Sequence, residues 1–198
     1  MIRNKKDLLF YLESDRKALK KEYKKPRFIH DIIWKYQILM RKAEYWQNCQ
    51  NSIAGRIIEK IYKFRFVKLG QKLGFSIGLN TCGPGLAIVH YGLLVIHQNA
   101  KIGENCRIHE GVTIGSNASG KEAPVIGNNV YIASGAKVIG NISIADDVAI
   151  GAGAVVVKSV MEPGVTVAGV PARIISHNNS SKYIVKGTVG TINENYTN

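Results

Sequence analysis

The hydrophobic pattern changes period part-way along the chain. Over residues 5–25, Leu8, Leu9, Leu12 and Leu19 recur at helical spacing between charged positions, and Pro26 marks a break. Ile29, Ile32, Ile33, Tyr36, Met40 and Ala43 carry a second helical stretch. Ile53, Ile57, Ile61, Phe64 and Leu69 carry a third, from about Ser52 to Leu73. From Ile77 onward the helical period is lost, and glycine and β-branched residues take over. An aliphatic residue now opens a run of six-residue units, at Ile96, Ile102, Ile108, Ile126, Ile132, Val138, Ile144, Ile150 and Val156. A small or β-branched residue follows four places after each, at Ala100, Cys106, Val112, Val130, Ala136, Ile142, Val148, Ala154 and Val160.

A helix would give a period near 3.6 and a flat strand a period of 2, so neither explains a six. A short strand followed by a corner, repeated, does. The opening residue then points inward, and the small residue four on lets the next coil pack closely. Gly103, Asn105, Gly127, Asn129, Gly135, Asp147, Gly151 and Gly153 fall at the corners, where a positive φ favours Gly and Asn. The predicted architecture is mainly β: an α-helical region over 1–75, a parallel β-helix over 76–175 and a tail over 176–198. The helices and the chain after Pro171 are expected to cap the open ends of the column.

Charge divides the chain at the same place. Residues 1–75 hold 19 Lys and Arg against 7 Asp and Glu, and residues 76–198 hold 8 against 7. A basic front end is either a solvated helix surface or a contact for an anionic membrane. Trp34, Tyr36, Tyr45 and Trp46 sit at core spacing, so no nucleic-acid partner is expected. Three cysteines without a C-x-x-C pair read as reduced thiols, and with no apolar leader or membrane span in view a cytoplasmic location is expected.

The hexads, the segment G-P-G-L-A-I-V-H-Y-G at 83–92, the segment N-C-R-I-H-E-G-V-T-I-G at 105–115 and the ending A-G-V-P-A-R at 168–173 resemble the hexapeptide-repeat acyltransferases. Among these, the serine acetyltransferase-like branch associated with capsule and surface-polysaccharide biosynthesis is the most similar. The resemblance covers residues 76–175. It implies left-handed winding, a homotrimer with sites between subunits, acetyl-CoA as donor and no metal. It also implies contacts to the cofactor from Ser134, Gly135, Ala152 and Gly153, with Lys158 and Arg173 near its phosphates.

Acetyl transfer to a hydroxyl needs a base for the hydroxyl proton, and an imidazole suits that task near neutral pH. His90 lies in a stretch two residues longer than the repeat, which predicts a bulge that aims it outward; it matches the catalytic histidine of the family. His109, one coil later, is expected beside it as a second base or an acceptor-binding group. Glu110 is a candidate to orient His90. His97 reads as a solvated corner, His30 as structural, and 115–124 as a protruding loop. Serine acetyltransferases usually carry an acid just before the catalytic histidine and a second histidine before a proline; this chain has Val89 and Ala123 there. The expected acceptor is therefore a sugar or surface-glycan precursor, with serine O-acetylation of cysteine biosynthesis as the alternative. A three-histidine zinc enzyme and a scaffold without catalysis are the more distant readings.

Overall fold

A computed structural model describes residues 1–50, 52–117 and 120–188. Parts of the 115–124 loop and of the 176–198 tail therefore lie outside the described residues.

Helix α1 (Lys5–Ala18) starts where the Asn4 side chain accepts the Asp7 amide at 2.9 Å. It ends before residue 25, the limit expected from its period, because Lys20 turns left-handed at φ 56°. The loop that follows has no apolar stripe to bury and is gathered instead around the buried Asp31 carboxylate. That carboxylate accepts from Lys21 Nζ at 2.7 Å, Tyr23 Oη at 2.8 Å and the Arg27 amide at 2.8 Å. Burial opposes charge on Asp31, but these donors outweigh it and hold its pKa well below the usual range. Helix α2 (Ile32–Cys49) buries Trp34, Tyr36 and Met40, while helix α3 (Ile53–Leu73) runs from a Ser52 cap to Gly74 at φ 79°.

The column is a left-handed parallel β-helix with three faces. One face stacks Phe75–Ile77, Leu94–Ile96, Thr113–Gly115, Lys137–Ile139 and Val155–Val156; a second stacks Lys101–Ile102, Val125–Ile126 and Ser143–Ile144. The third stacks Ala87–Ile88, Arg107–Ile108, Tyr131–Ile132, Ala149–Ile150 and Thr166–Gly169, then closes with the antiparallel strand Ala172–Ser176. Every hexad-opening residue from Ile96 to Val156 is buried in one continuous core. Lys137 pairs with Val155 at the regular eighteen-residue step. The Thr113–Lys137 pairing takes six more residues, the loop, and the Ala87–Arg107 pairing takes two more, the His90 bulge.

Two devices hold the corners. Asn105, Asn129 and Asp147 all adopt positive φ, and their side chains form a ladder of 3.0 Å hydrogen bonds, Asn105 to Asn129 and Asn129 to Asp147. Gly103 is different: its φ is ordinary, and space is what excludes a side chain. A Cβ there would sit 2.7 Å from the Gly127 backbone carbonyl on the next coil. Gly103→Ala is expected to cost about 1–3 kcal/mol through forced separation of the coils, read as a lower Tm.

Ala172–Ser176 covers the last strand of the third face, as expected of the chain after Pro171, but the described tail beyond it, 177–188, leaves the column's end. Ser180 donates to the Asn129 carbonyl, its amide reaches the Asp147 carbonyl at 3.0 Å, and Gly187 and Thr188 bond to Asn105. It therefore runs along the Asn ladder, back toward α1, because the ladder offers polar partners that an apolar end does not.

Candidate active site

Helix α2 fixes the strand that leads into the bulge. Gln37 donates to the Leu86 carbonyl at 2.7 Å and accepts the Ile88 amide at 3.2 Å. Beside it, fully buried Arg41 bonds Asp15 at 2.8 Å, Glu44 at 3.1 Å and the carbonyls of Cys82 and Gly83 at 2.8 and 2.7 Å. The chain then leaves the repeat at Val89, and the Gly92 amide rejoins the framework at the Leu73 carbonyl, 3.1 Å away. Between these anchors His90 is exposed, as the longer repeat predicts.

His109 comes to rest against it, ring centroids 5.5 Å apart. Arg107 and Tyr131 pair across neighbouring strands of the same face, and the Tyr131 ring lies 5.3 Å from His109. Tyr183 of the tail stacks on Tyr131 at 4.5 Å, a contact with no signal in the repeat pattern. Burial lowers the His109 pKa, and the Arg107 charge lowers it further, so this imidazole stays neutral near neutral pH.

Glu110 completes the group. Its carboxylate stands 3.9 Å from His109 Nδ1, and ligand atoms of His90, His109 and Glu110 all lie within 4.8 Å of one another. A hydrogen bond from Ser134, chiefly, holds the Glu110 carboxyl below its usual range. Its Oε2 atom is buried and has no hydrogen-bond partner among the described residues. An unsatisfied carboxylate oxygen between two imidazoles is suited to hold an N–H of either one. For shared coordination of a metal the three would have to contract to about 3 Å spacing, given bonds of roughly 2 Å. His97 lies outside the group and accepts the Asn99 amide at 3.2 Å.

A cavity of about 420 Å³ opens at His90, walled by Val89, Tyr91 and Arg107 on one side and by Lys21, His30, Asp31 and Trp34 on the other. His30, expected to be structural, is an exposed turn residue of this wall. Of the cations here Lys21 is committed to Asp31. The Arg107 side chain has no hydrogen bond or ion pair within the chain among the described residues.

The expected cofactor contacts divide. Glu110–Gly111, Ser134–Gly135 and Ala152–Gly153 stack on one corner, with the Gly135 amide on the Glu110 carbonyl and the Gly153 amide on the Ser134 carbonyl, both 2.9 Å. A Cβ at Gly153 would meet nothing within 4 Å and one at Gly135 only the Gly153 backbone at 3.8 Å, so the strip opens toward its Gly153 end. Lys158 and Arg173 are exposed further along the column. Ala123, in the place of the family's second histidine, is buried in the core.

Residues 123–158 match the bacterial transferase hexapeptide family (six repeats). The chain is also 45% identical over 95 residues to the serine acetyltransferase of Synechococcus elongatus, a match that covers 47% of this chain and 38% of that enzyme. With the serine acetyltransferase of Buchnera aphidicola the identity is 50% over 54 residues, 27% of this chain. The chain thus spans about a fifth to two fifths of the length of these curated relatives. Among solved structures, serine acetyltransferase from Brucella abortus superposes with a TM-score of 0.69 at 28% identity, covering 89% of this chain and 72% of that one. The same enzyme in complex with coenzyme A gives 0.64 at 28% identity, over 87% and 67% of the two chains.

Proposed function

We propose that the protein is an acetyl-CoA-dependent O-acetyltransferase of serine acetyltransferase type. The observation that carries this is His90, exposed on a bulge beside His109 and Glu110, at the mouth of a cavity and next to an open strip of small residues. Coenzyme A lies in the Brucella abortus relative, and the strip through Ser134, Gly135, Ala152 and Gly153 suits a pantetheine arm here. In this reading His90 takes the acceptor hydroxyl proton as the oxygen attacks the thioester carbonyl. The tetrahedral adduct then collapses, the C–S bond breaks, and the thiolate leaves with the proton from His90. Glu110 holds the imidazole pair in orientation. Three copies are the assembly implied by the resemblance, and exposed Tyr91 and Leu93 beside His90 offer apolar area for a neighbour to cover.

The acceptor that this reading favours is L-serine, the alternative weighed above, over a sugar or glycan precursor. The relatives support it, and so does Arg107, a cation in the cavity wall that forms no hydrogen bond or ion pair among the described residues and so can take an acceptor carboxylate. The test is CoA release from acetyl-CoA with L-serine and with a panel of neutral sugars. L-serine is expected to be the better acceptor. Arg107→Gln is expected to raise its KM about 10- to 100-fold, the roughly 1.5–3 kcal/mol of a charge-assisted hydrogen bond. A neutral sugar that outpaces serine, with Arg107→Gln indifferent, removes the serine assignment and leaves the transferase chemistry standing.

A further inference from the structure

Helix α3 packs by a narrow side. Gly55, Phe66, Gly70 and Leu73 are buried, and Phe66 stacks on Tyr36 of α2 at 4.9 Å. A second apolar side faces away from the protein. Ile53, Ile57, Ile61, Phe64 and Val67, spaced by fours and threes along one side, are 81%, 56%, 51%, 66% and 46% exposed. Four of these, Ile53, Ile57, Ile61 and Phe64, belong to the third periodic stretch of the sequence, whose fifth member, Leu69, does pack against the core; such a period would ordinarily mark a core face. Here it marks the opposite.

The stripe is bordered by cations. Arg56, Lys60, Lys63, Arg65, Lys68 and Lys72 are all exposed, and Glu59 is the one acid in the helix. Lys68 reaches back over the Phe64 ring at 5.8 Å. The front of the chain carries nearly all of the protein's excess positive charge, so the field on this side reinforces the helix. An apolar stripe with a basic rim on a long surface helix matches the boundary between anionic headgroups and acyl chains. No helix among the described residues is long and apolar enough to cross a membrane, so α3 would lie in the plane of the surface. A second copy of the same face is a poor occupant, because joining the two would bring both cationic rims together.

We infer that the outward face of α3 is a docking surface for anionic lipid membranes, with Ile57, Ile61 and Phe64 entering the headgroup–acyl boundary and the Lys and Arg rim binding lipid phosphates. This stands apart from the catalytic proposal, since none of these residues lines the cavity at His90.

The experiment is vesicle flotation of the full chain with phosphatidylcholine alone and with an equal mixture of phosphatidylcholine and phosphatidylglycerol. Binding to the mixed vesicles only, weakened by raised salt, is expected. The triple variant Ile57→Ser, Ile61→Ser, Phe64→Ser removes exposed side chains, so its Tm is expected to stay at the wild-type value while vesicle binding falls about tenfold or more. A Lys60→Gln, Lys63→Gln, Lys68→Gln variant is expected to lose the preference for anionic vesicles. Two results would overturn the inference: no flotation of the wild type with mixed vesicles, or flotation undiminished in the triple serine variant. A fall in oligomeric mass in the serine variant, with wild-type vesicle binding absent, would reassign the stripe to contact between copies.

Discussion

His90→Ala is expected to lower kcat/KM for acetyl transfer by about 10²–10⁴-fold, the usual worth of a positioned general base, with little change in KM for acetyl-CoA. The adjacent imidazole cannot take over the work. His109 is half-buried, and its pKa is depressed first by that burial and then by Arg107, which makes it a weaker base than a solvated histidine. Its Nδ1 also faces Glu110 at 3.9 Å. The His90 side chain is exposed on a bulge whose backbone is held at Val89 and Gly92, so the variant is expected to fold with an unchanged Tm. A CoA-release assay and a thermal melt on the same preparation separate chemistry from folding. Full activity in a folded His90→Ala protein would move the base elsewhere on the column.

Most of the column can be read from the sequence, because its core is made of identical small decisions. Each hexad places one aliphatic residue inward and one small residue at a corner, and those from Ile96 to Val156 are indeed buried. The bulge at His90 is legible for the same reason: a strict repeat makes a two-residue excess visible. Proximity within the site is only partly legible. His109 and Glu110 follow from their place one coil on, whereas Leu19 and Ile29 read as helical and fall in the loop at 19–31, whose contribution of Lys21, His30 and Asp31 to the cavity depends on long-range docking of the helices. The helical front shows the limit most clearly. Periodicity reports that α3 has an apolar face, but not whether that face meets the protein: of the five residues it marks, Leu69 packs on the core, while the fully buried positions are two glycines, Phe66 and Leu73. The tail's path is illegible too, since its partners are corner Asn side chains whose spare hydrogen-bonding capacity appears only once the coils are stacked.

Arg41→Met is expected to destabilise the protein by about 3–5 kcal/mol, a large share of the roughly 5–15 kcal/mol that holds an ordinary domain together. Burial pushes the carboxyls of Asp15 and Glu44 up, and the guanidinium between them is the largest influence that offsets part of that rise. Without it, two carboxyls and the carbonyls of Cys82 and Gly83 lose their donor inside the protein. Neutralising the carboxyls by substitution would not repair the site, because Asp15 also accepts the Leu86 amide at 2.9 Å and Glu44 the Asn80 amide at 2.8 Å. The network therefore joins α1 and α2 to the first coil through backbone groups as well as charges. For a chain of this length the expected fall in Tm is roughly 6–20 °C, at about 2–4 °C per kcal/mol. The loss should also be local: amide exchange at Leu86 and Ile88 is expected to quicken ahead of exchange in the later coils, and His90 sits two residues past Ile88. A melt within a degree or two of the wild type would mean that the helices are held to the column by apolar packing alone. The path by which α2 positions the catalytic bulge would then reduce to the Gln37 contacts.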